Sequence, residues 1–273
     1  MDMGGVTMTV QEKLQYLDSL YAQNKITEAE EFLLAQTADD NMENSLQVKI
    51  SLNNELMGIY RNKGNREKCM ERVALQKAWM EQAADTLDPA SLATLYLNIA
   101  NAYQAFGMLE ESYDILNEVE IMYNKTLDKN DFRLASFYNN KAVLLIKMKD
   151  LDQAEVYFKM ALGILKTLRE AEDEIAVTYQ NLSNIYSTKG KYGLALDMSH
   201  KGADLLKQIG AEVSYHYGAI CNSIAVIYHT MGDYRKAVEY FEKAADVILK
   251  VYGDCKLYQG IKESAALARS QIR

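Results

Sequence analysis

The chain has 273 residues, of which 49% are hydrophobic and 25% charged, and it contains 14 Gly and a single Pro. This composition excludes disordered, collagen-like and disulfide-scaffold proteins and favours a mostly helical fold with a large core. Because Lys and Arg number 30 against 38 Asp and Glu, the net charge of −8 argues against binding to nucleic acid or to an anionic membrane surface.

The cysteines and the apolar runs indicate a cytoplasmic protein. Cys69, Cys221 and Cys255 are odd in number and far apart, and no CxxC or zinc-spaced Cys/His cluster occurs. We therefore expect reduced thiols. The sequence has no apolar run of bilayer-spanning length. Residues 1–7 lack the features of a secretory signal and are expected to be frayed.

A pattern of about 42 residues repeats along the chain. Four copies align on a turn residue, and two weaker copies precede them. In chain order the turns lie near Asn24 and at Gly64, Gly107, Lys149, Gly190 and Gly232. The last four turn residues are 42, 41 and 42 residues apart, which indicates a solenoid of stacked repeats. The expected hairpins cover residues 8–38, 41–85, 89–128, 131–171, 173–208 and 212–250.

Small residues recur at fixed offsets from the turn residue, which predicts helix–turn–helix hairpins. Small side chains let two antiparallel helices approach closely, and Gly at the turn supplies a left-handed helix cap. The position seven residues before the turn holds Ala100, Ala142, Ser183 and Ala225. The position five residues after it holds Ser112, Ala154, Ala195 and Ala237. The position twelve residues after it holds Val119, Ala161, Gly202 and Ala244. Apolar residues at helical spacing flank each turn, as in Val156, Phe158, Ala161, Leu162 and Leu165.

Further signals mark helix starts and the end of the solenoid. Asp88 followed by the sole proline, Pro89, predicts an N-cap with Pro at the first helical position, and Asp131 is expected to start the next repeat. Residues 255–271 are predicted to form an amphipathic helix that caps the last hairpin. Its apolar stripe comprises Leu257, Tyr258, Ile261, Ala265 and Ala268 and continues to Ile272.

The pattern resembles the tetratricopeptide repeat family. The small residues, a Tyr four before the turn and the alanines of the second helix match that family's consensus. The usual Trp position holds Tyr96, Tyr138, Tyr179 and Cys221. The usual period is 34 residues; the longer form here, with Asn98, Asn140 and Asn181 nine before the turn, is similar to kinesin light chains and to Gram-positive peptide-sensing regulators. The resemblance covers about residues 89–250. It implies an all-α, right-handed superhelical solenoid of about six hairpins plus a C-terminal capping helix, a single domain over residues 1–273.

In that family the first helix of each hairpin lines a concave groove, at positions ten, six, three and two before the turn. The resemblance therefore implies a set of candidate peptide-groove residues. These are Asn54, Arg61, Asn62, Asn101, Gln104, Asn139, Lys147, Gln180, Asn184, Asn222 and His229, with Ser187, Thr188 and Thr230 at the same offsets.

The recurrence of Asn inside predicted helices needs an explanation, because Asn is a poor helix former. One interpretation is a ladder of carboxamides, each of which can donate to and accept from an extended peptide backbone. The other is that these amides hydrogen-bond to each other or to backbone groups between neighbouring repeats. Both interpretations stay open, also for Asn98, Asn140 and Asn181.

The sequence carries no catalytic or cofactor motif, so we expect neither enzymatic activity nor a cofactor or metal. It has no GxxxxGK[ST], GxGxxG, HExxH or GxSxG. We interpret His216 as a hydrogen-bonded helix residue rather than a general base, because no nucleophile or carboxylate partner is identifiable. Asp150, Asp152 and Asp233 lie at turns, where they are expected to start second helices rather than to bind a metal.

The leading hypothesis is a non-enzymatic scaffold that holds a protein or an extended peptide segment. The inward cations are only Arg61 and Lys147, which disfavours a carboxylate clamp, and a neutral or mildly basic peptide suits an acidic protein better. The alternative is the sensor part of a larger signalling or transcription-regulatory system, although residues 1–45 are too short for a DNA-binding module plus the first hairpin. A third reading is an enzyme with an unrecognised site. The sequence does not indicate the oligomeric state.

Overall fold

The fold was analysed in a computed structural model that describes residues 8–38, 41 and 44–272. Residues 1–7, expected to be frayed, lie outside the described residues. The helices are α1 (Val10–Ala22), α2 (Ile26–Gln36), α3 (Leu46–Asn62), α4 (Arg66–Gln82), α5 (Pro89–Ala105), α6 (Leu109–Thr126), α7 (Phe132–Lys147), α8 (Leu151–Leu165), α9 (Glu172–Thr188), α10 (Tyr192–Gln208), α11 (Tyr215–Thr230), α12 (Tyr234–Tyr252) and α13 (Lys256–Ser270). Since the described part of the chain contains no strand, the predicted all-α class is confirmed.

The chain packs as two compact units. The first is Met1–Leu127 and holds the hairpins α1–α2, α3–α4 and α5–α6; the second is Asp128–Arg273 and holds α7–α8, α9–α10 and α11–α12, followed by α13. The odd-numbered helices α1 to α11 are the first helices of their hairpins, and the even-numbered ones are the second helices. The single domain expected over residues 1–273 stays a prediction.

The hairpins turn through residues with a left-handed backbone, at the six positions that the sequence predicts. Four of these are glycines, whose missing Cβ makes a positive φ unstrained. The other two are Asn24, at φ 57°, and Lys149, at φ 66°. Asn tolerates this region through local hydrogen bonding of its short side chain, whereas Lys149 takes it up at a steric cost that the packed helices on either side must offset.

The predicted helix starts are confirmed by side-chain caps. The Asp88 carboxylate accepts from the backbone N–H groups of Ala90 and Ser91, with Pro89 at the first helical position. Asp131 caps α7 by accepting from the backbone N–H of Arg133. Asp150 and Asp233 cap the second helices α8 and α12, which is the structural role expected of them.

The repeated small residues lie where helices touch, and every one of them is buried. The Ser112 hydroxyl donates to the Ala100 carbonyl oxygen over 2.9 Å, so a second helix here reaches the backbone of its first helix. A Cβ placed on Gly202 would lie 3.1 Å from the Ala176 carbonyl oxygen. Such approaches leave no room for larger side chains.

Three apolar residues of the predicted stripes are exposed, which corrects their assignment to the core: Val156, Leu257 and Ile272, the last of which is 36% exposed and lies beyond the end of α13 at Ser270. Val156 is 55% exposed while Phe158 and Ala161 are fully buried, because Val156 lies two residues before Phe158 and therefore on the opposite side of α8. Leu257 is 44% exposed and lines a cavity of the second unit. The remainder of the α13 stripe is confirmed at its centre, where Ile261, Ala265 and Ala268 are buried.

Enlarging a packed alanine should destabilise the fold. Ala154 on α8 is fully buried, so Ala154→Leu is expected to lower the free energy of unfolding by about 1–3 kcal/mol through overpacking. The matched control is Val156→Leu on the exposed side of the same helix, which should change it by less than about 0.5 kcal/mol. Urea unfolding measures both, and equal values for the two variants would contradict the packing of Ala154 against its neighbours.

Candidate functional site

The first unit has a cavity of about 130 Å³ between the first helices α3 and α5, here called the N-terminal cavity. Two candidate groove residues, Asn54 and Arg61, contribute to its wall. The complete lining is Asn54, Glu55, Met57, Gly58, Arg61, Asn98 and Ala102. Polar groups from two successive hairpins therefore meet at one place in this unit.

Asn54 presents an unused hydrogen-bond acceptor in the N-terminal cavity. Its Oδ1 atom is buried and has no hydrogen-bond partner within the described chain. Buried polar atoms of native proteins are nearly always paired, because an unpaired one loses the hydrogen bonds that water would provide. Asn54 Oδ1 is therefore an unsatisfied acceptor on a side chain that lines the cavity wall.

Glu55 adds a half-buried carboxylate to the same cavity. Burial raises the pKa of Glu55, and the neighbouring Asp18 charge raises it further, while a hydrogen bond from Tyr21 and the charge of Arg61 act in the opposite direction. Burial, with the Glu55 and Asp18 charges, raises the pKa of Tyr21 to about 12, so its hydroxyl stays a hydrogen-bond donor. The cavity thus has two carboxylates and one guanidinium in its surroundings.

Glu55 and Gly58 line the N-terminal cavity but are not among the predicted groove residues, although the sequence carries a signal for Glu55. Glu55 lies nine residues before its turn residue, Gly64, which is the offset of the recurring Asn98, Asn140 and Asn181. An acidic residue at an otherwise amide position was a detectable departure from the repeat. Gly58 lies six residues before Gly64, at one of the four groove offsets, but it has no side chain that could mark it as a binding residue.

The second unit has a cavity of about 200 Å³ that reaches α13, here called the C-terminal cavity. It brings together Gln180 of α9 and Asn222 of α11, two candidate groove residues that both lie ten before their turn. Its complete lining is Gln180, Tyr215, Gly218, Ala219, Asn222, Ser223, Ile248, Leu257 and Ile261. Amides therefore stand beside an apolar wall, to which Tyr215 and Leu257 contribute side chains that are 45% and 44% exposed.

His229 lies in a different cavity of the second unit, of about 180 Å³, with Val226, Phe241, Ser264 and Leu267. Its Nε2 atom is buried and has no partner in the described chain, and its ring centroid lies 5.3 Å from that of Tyr234. A ring stacked edge-on against Tyr234 is held in position, as expected of a packed helix residue.

Asn139 is engaged within the protein. Its Nδ2 donates to the Thr178 hydroxyl over 3.2 Å, and that hydroxyl donates to the Glu174 carbonyl oxygen over 2.7 Å. Because Thr178 is fully buried, the bond joins the first helices α7 and α9 of neighbouring hairpins. This geometry supports the inter-repeat interpretation of the amide at Asn139.

The remaining candidates do not line any of these three cavities. Asn101 and Gln104 are half-buried on α5. Asn62, Lys147 and Asn184 are exposed on α3, α7 and α9. The structure thus gathers Asn54 with Arg61 and Gln180 with Asn222, and leaves the other amides apart.

A double-mutant cycle should detect the Asn139–Thr178 bond. Asn139→Ala and Thr178→Val each leave one polar group without its partner, and the two changes together remove both. The expected coupling free energy is about 0.5–1.5 kcal/mol, the net value of a protein hydrogen bond. It is measured by chemical unfolding of the four proteins, and additive effects would show that this amide does not stabilise the contact.

The described residues contain no group of three or more His, Cys, Asp or Glu that could hold a metal ion. Cys69, Cys221 and Cys255 are free thiols, and burial raises the pKa of Cys69 and Cys221. Across residues 8–38, 41 and 44–272, no helix combines the length and the apolar character that crossing a membrane requires.

Two protein-family profiles match most of the repeat region of this chain. The tetratricopeptide repeat profile matches residues 91–167 and 133–208. A second tetratricopeptide repeat profile matches residues 218–248. The comparison with curated protein sequences found no significant match.

Solved structures share the fold at low sequence identity. Aspartyl phosphate phosphatase F from Bacillus subtilis is 13% identical with a TM-score of 0.72, over 99% of this chain and 82% of that one. NprR in complex with its cognate peptide NprX is 17% identical with a TM-score of 0.62, over 96% and 79%. A putative kinesin light chain from Podosopora anserina is 19% identical with a TM-score of 0.62, over 75% and 97%.

Proposed function

Since this chain belongs to the tetratricopeptide repeat family, we propose that it is a non-enzymatic scaffold that binds an extended peptide or protein segment on its first helices. The observation that carries the proposal is that each unit has a cavity in which polar side chains of two successive first helices converge. Asn54 and Asn98 meet in one cavity, and Gln180 and Asn222 in the other.

Carboxamides suit the recognition of a peptide backbone. Each amide can accept from a peptide N–H and donate to a peptide carbonyl, which holds the main chain without selecting its side chains. The Oδ1 of Asn54 has no partner in the described chain, and a rotation of this amide toward the cavity lets it accept such a bond. In the C-terminal cavity, the exposed parts of Tyr215 and Leu257 offer apolar contact for one side chain beside the amides Gln180 and Asn222.

Two further observations support a peptide ligand. NprR, which shares the fold over 96% of this chain, was solved with its cognate peptide bound. The net charge of −8 favours association with neutral or basic segments over acidic ones. We place this scaffold in the cytoplasm, in line with its free thiols.

The second candidate function is the sensor part of a larger signalling or transcription-regulatory system. The likeness to NprR favours it, because that protein binds a cognate peptide within the same fold. The two functions share the peptide site and differ in whether peptide binding changes the affinity for a second protein. Affinity purification from the source cells, with and without the selected peptide, distinguishes them.

Selection from a peptide library tests the scaffold function. The purified full chain is immobilised and exposed to displayed random 10-residue peptides, and the enriched peptides are resynthesised for calorimetry. We expect enrichment of related sequences that bind the folded chain and not the heat-denatured one. Equal recovery from the folded chain and from an unrelated helical protein would reject peptide binding.

A further inference from the structure

We propose that the N-terminal cavity selects a cationic group of the bound segment, either a Lys or Arg side chain or a free amino terminus. This inference rests on the proposed function and names the chemistry that one part of the site recognises. The Lys side chain, the Arg side chain and the amino terminus share a positive charge and several N–H donors. These donors fit a cavity that is rich in hydrogen-bond acceptors.

The acceptors of the cavity are the first argument. The Oδ1 atom of Asn54 is buried without a partner, and the Glu55 carboxylate and the Asn98 amide line the same space. An ammonium group offers three N–H donors and a guanidinium five, so either can reach several of these oxygens at once. A carboxylate ligand can pair with Arg61 in the same lining, but it leaves Asn54 Oδ1 unpaired and faces the Glu55 carboxylate.

The balance of charge is the second argument. The charged groups acting on the Glu55 carboxylate are Asp18 on α1 and Arg61 on its own helix, and the Tyr21 hydroxyl hydrogen-bonds to it. In the cavity lining the Glu55 carboxylate is opposed by the Arg61 guanidinium, and the exposed Asp18 outside the lining adds a further negative charge near Glu55. The burial that raises the pKa of Glu55 also makes its ionised form costly. A bound cation offsets that cost, and it does so more strongly here than in bulk water because the local dielectric is lower.

The shape of the cavity is the third argument. A volume of about 130 Å³ admits a charged head group and the adjacent part of its stem. Gly58 forms part of the wall, and a Cβ added there would meet nothing within 4 Å. The missing side chain at Gly58 therefore keeps this space open, even though Gly is among the worst residues for the interior of a helix.

The experiment uses small probes, so it does not depend on knowing the natural ligand. Nα-acetyl-arginine amide and its neutral isostere Nα-acetyl-citrulline amide are titrated into the full chain at pH 7, followed by NMR. Nα-acetyl-lysine amide and glycinamide are titrated in parallel, to distinguish a side-chain cation from a free amino terminus. We expect the best cationic probe to bind about tenfold tighter than citrulline, and its binding to shift the titration of Glu55 to lower pH.

Three variants locate the effect. Glu55→Gln keeps the shape and removes the charge, so it should abolish the preference for the cation. Gly58→Leu fills the cavity and favours the helix, so it should prevent binding of every probe in a protein that remains folded. Glu118→Gln, which removes an exposed carboxylate from α6, is the matched control and should change nothing.

Equal binding of the arginine and citrulline probes, or a preference that survives Glu55→Gln, would overturn the inference. Its failure is separable from failure of the scaffold function. If the library yields binding peptides without enrichment of Lys, Arg or a free amino terminus, the scaffold function stands and cation selection is wrong. If the library yields no peptides, the scaffold function is wrong whatever the probes do.

Discussion

Replacing Glu155 by Gln is expected to lower the free energy of unfolding by about 1–3 kcal/mol at pH 7, among the largest single-site effects in the second unit. Glu155 on α8 accepts from Lys189 and from Tyr186 on α9, at 2.7 Å and 2.9 Å. It also accepts from Lys159 on its own helix at 2.7 Å. Gln keeps the shape and one acceptor oxygen, but it cannot balance two ammonium groups.

The pH dependence of this effect follows from the pKa of Glu155. Burial alone would raise it, but the hydrogen bonds from Lys159, Lys189 and Tyr186 outweigh burial and lower it to about 2 from the usual 4.5. A carboxyl with a lowered folded pKa contributes stability above its unfolded pKa, and this contribution is lost as the pH falls through the folded value. The difference between wild type and Glu155→Gln should therefore be constant above about pH 5 and shrink between pH 4.5 and 2.

Asp197→Asn is the control for Glu155. It breaks an exposed ion pair with Lys201 within α10, in which both side chains are about half exposed, so it should cost less than about 0.5 kcal/mol. Urea unfolding at a series of pH values measures both variants. If the two proteins lose equal stability, or if the loss at Glu155 grows towards acid pH, this network does not hold α8 to α9.

The fold was predictable because local requirements recur along the chain, the left-handed turn in all six hairpins and the small residues at the helix contacts in the last four. Asn24 and Lys149 adopt the left-handed turn even without Gly, and acidic N-caps start the helices α5, α7, α8 and α12. Exposure on a single helix was less predictable. Val156 matched the apolar spacing of its neighbours but lies on the other side of α8, because a run of apolar residues around a short helix does not define one face.

The candidate site was only partly predictable, because a repeat consensus describes what the copies share. The consensus predicted Asn54, Gln180 and Asn222, which all lie ten residues before their turn residue and which line cavities in the structure. The consensus also predicted Asn139 at this offset. There, however, Thr178 of the next first helix lies opposite, and the Asn139 amide hydrogen-bonds to it within the protein. Whether an amide faces a ligand or a neighbouring helix depends on the residue opposite it, which the spacing within one helix does not contain.

The double replacement Gln180→Ala with Asn222→Ala is expected to weaken the binding of a library-selected peptide by about 5- to 150-fold. Both amides line the C-terminal cavity on successive first helices, and each is expected to form one backbone hydrogen bond worth about 0.5–1.5 kcal/mol net. The helices should not be weakened, because Ala is the better helix former at both positions. Calorimetry gives the affinity and thermal unfolding gives the stability of the same samples.

Two outcomes distinguish recognition by these amides from a structural role. Gln271→Ala removes an exposed amide at the end of α13 and should leave both the affinity and the unfolding temperature unchanged, so it controls for the loss of any surface amide. A weaker affinity with unchanged or higher stability in the double variant supports backbone recognition. A lower unfolding temperature with unchanged affinity would mean that Gln180 and Asn222 bond within the protein, as Asn139 does, and that the peptide binds to another surface.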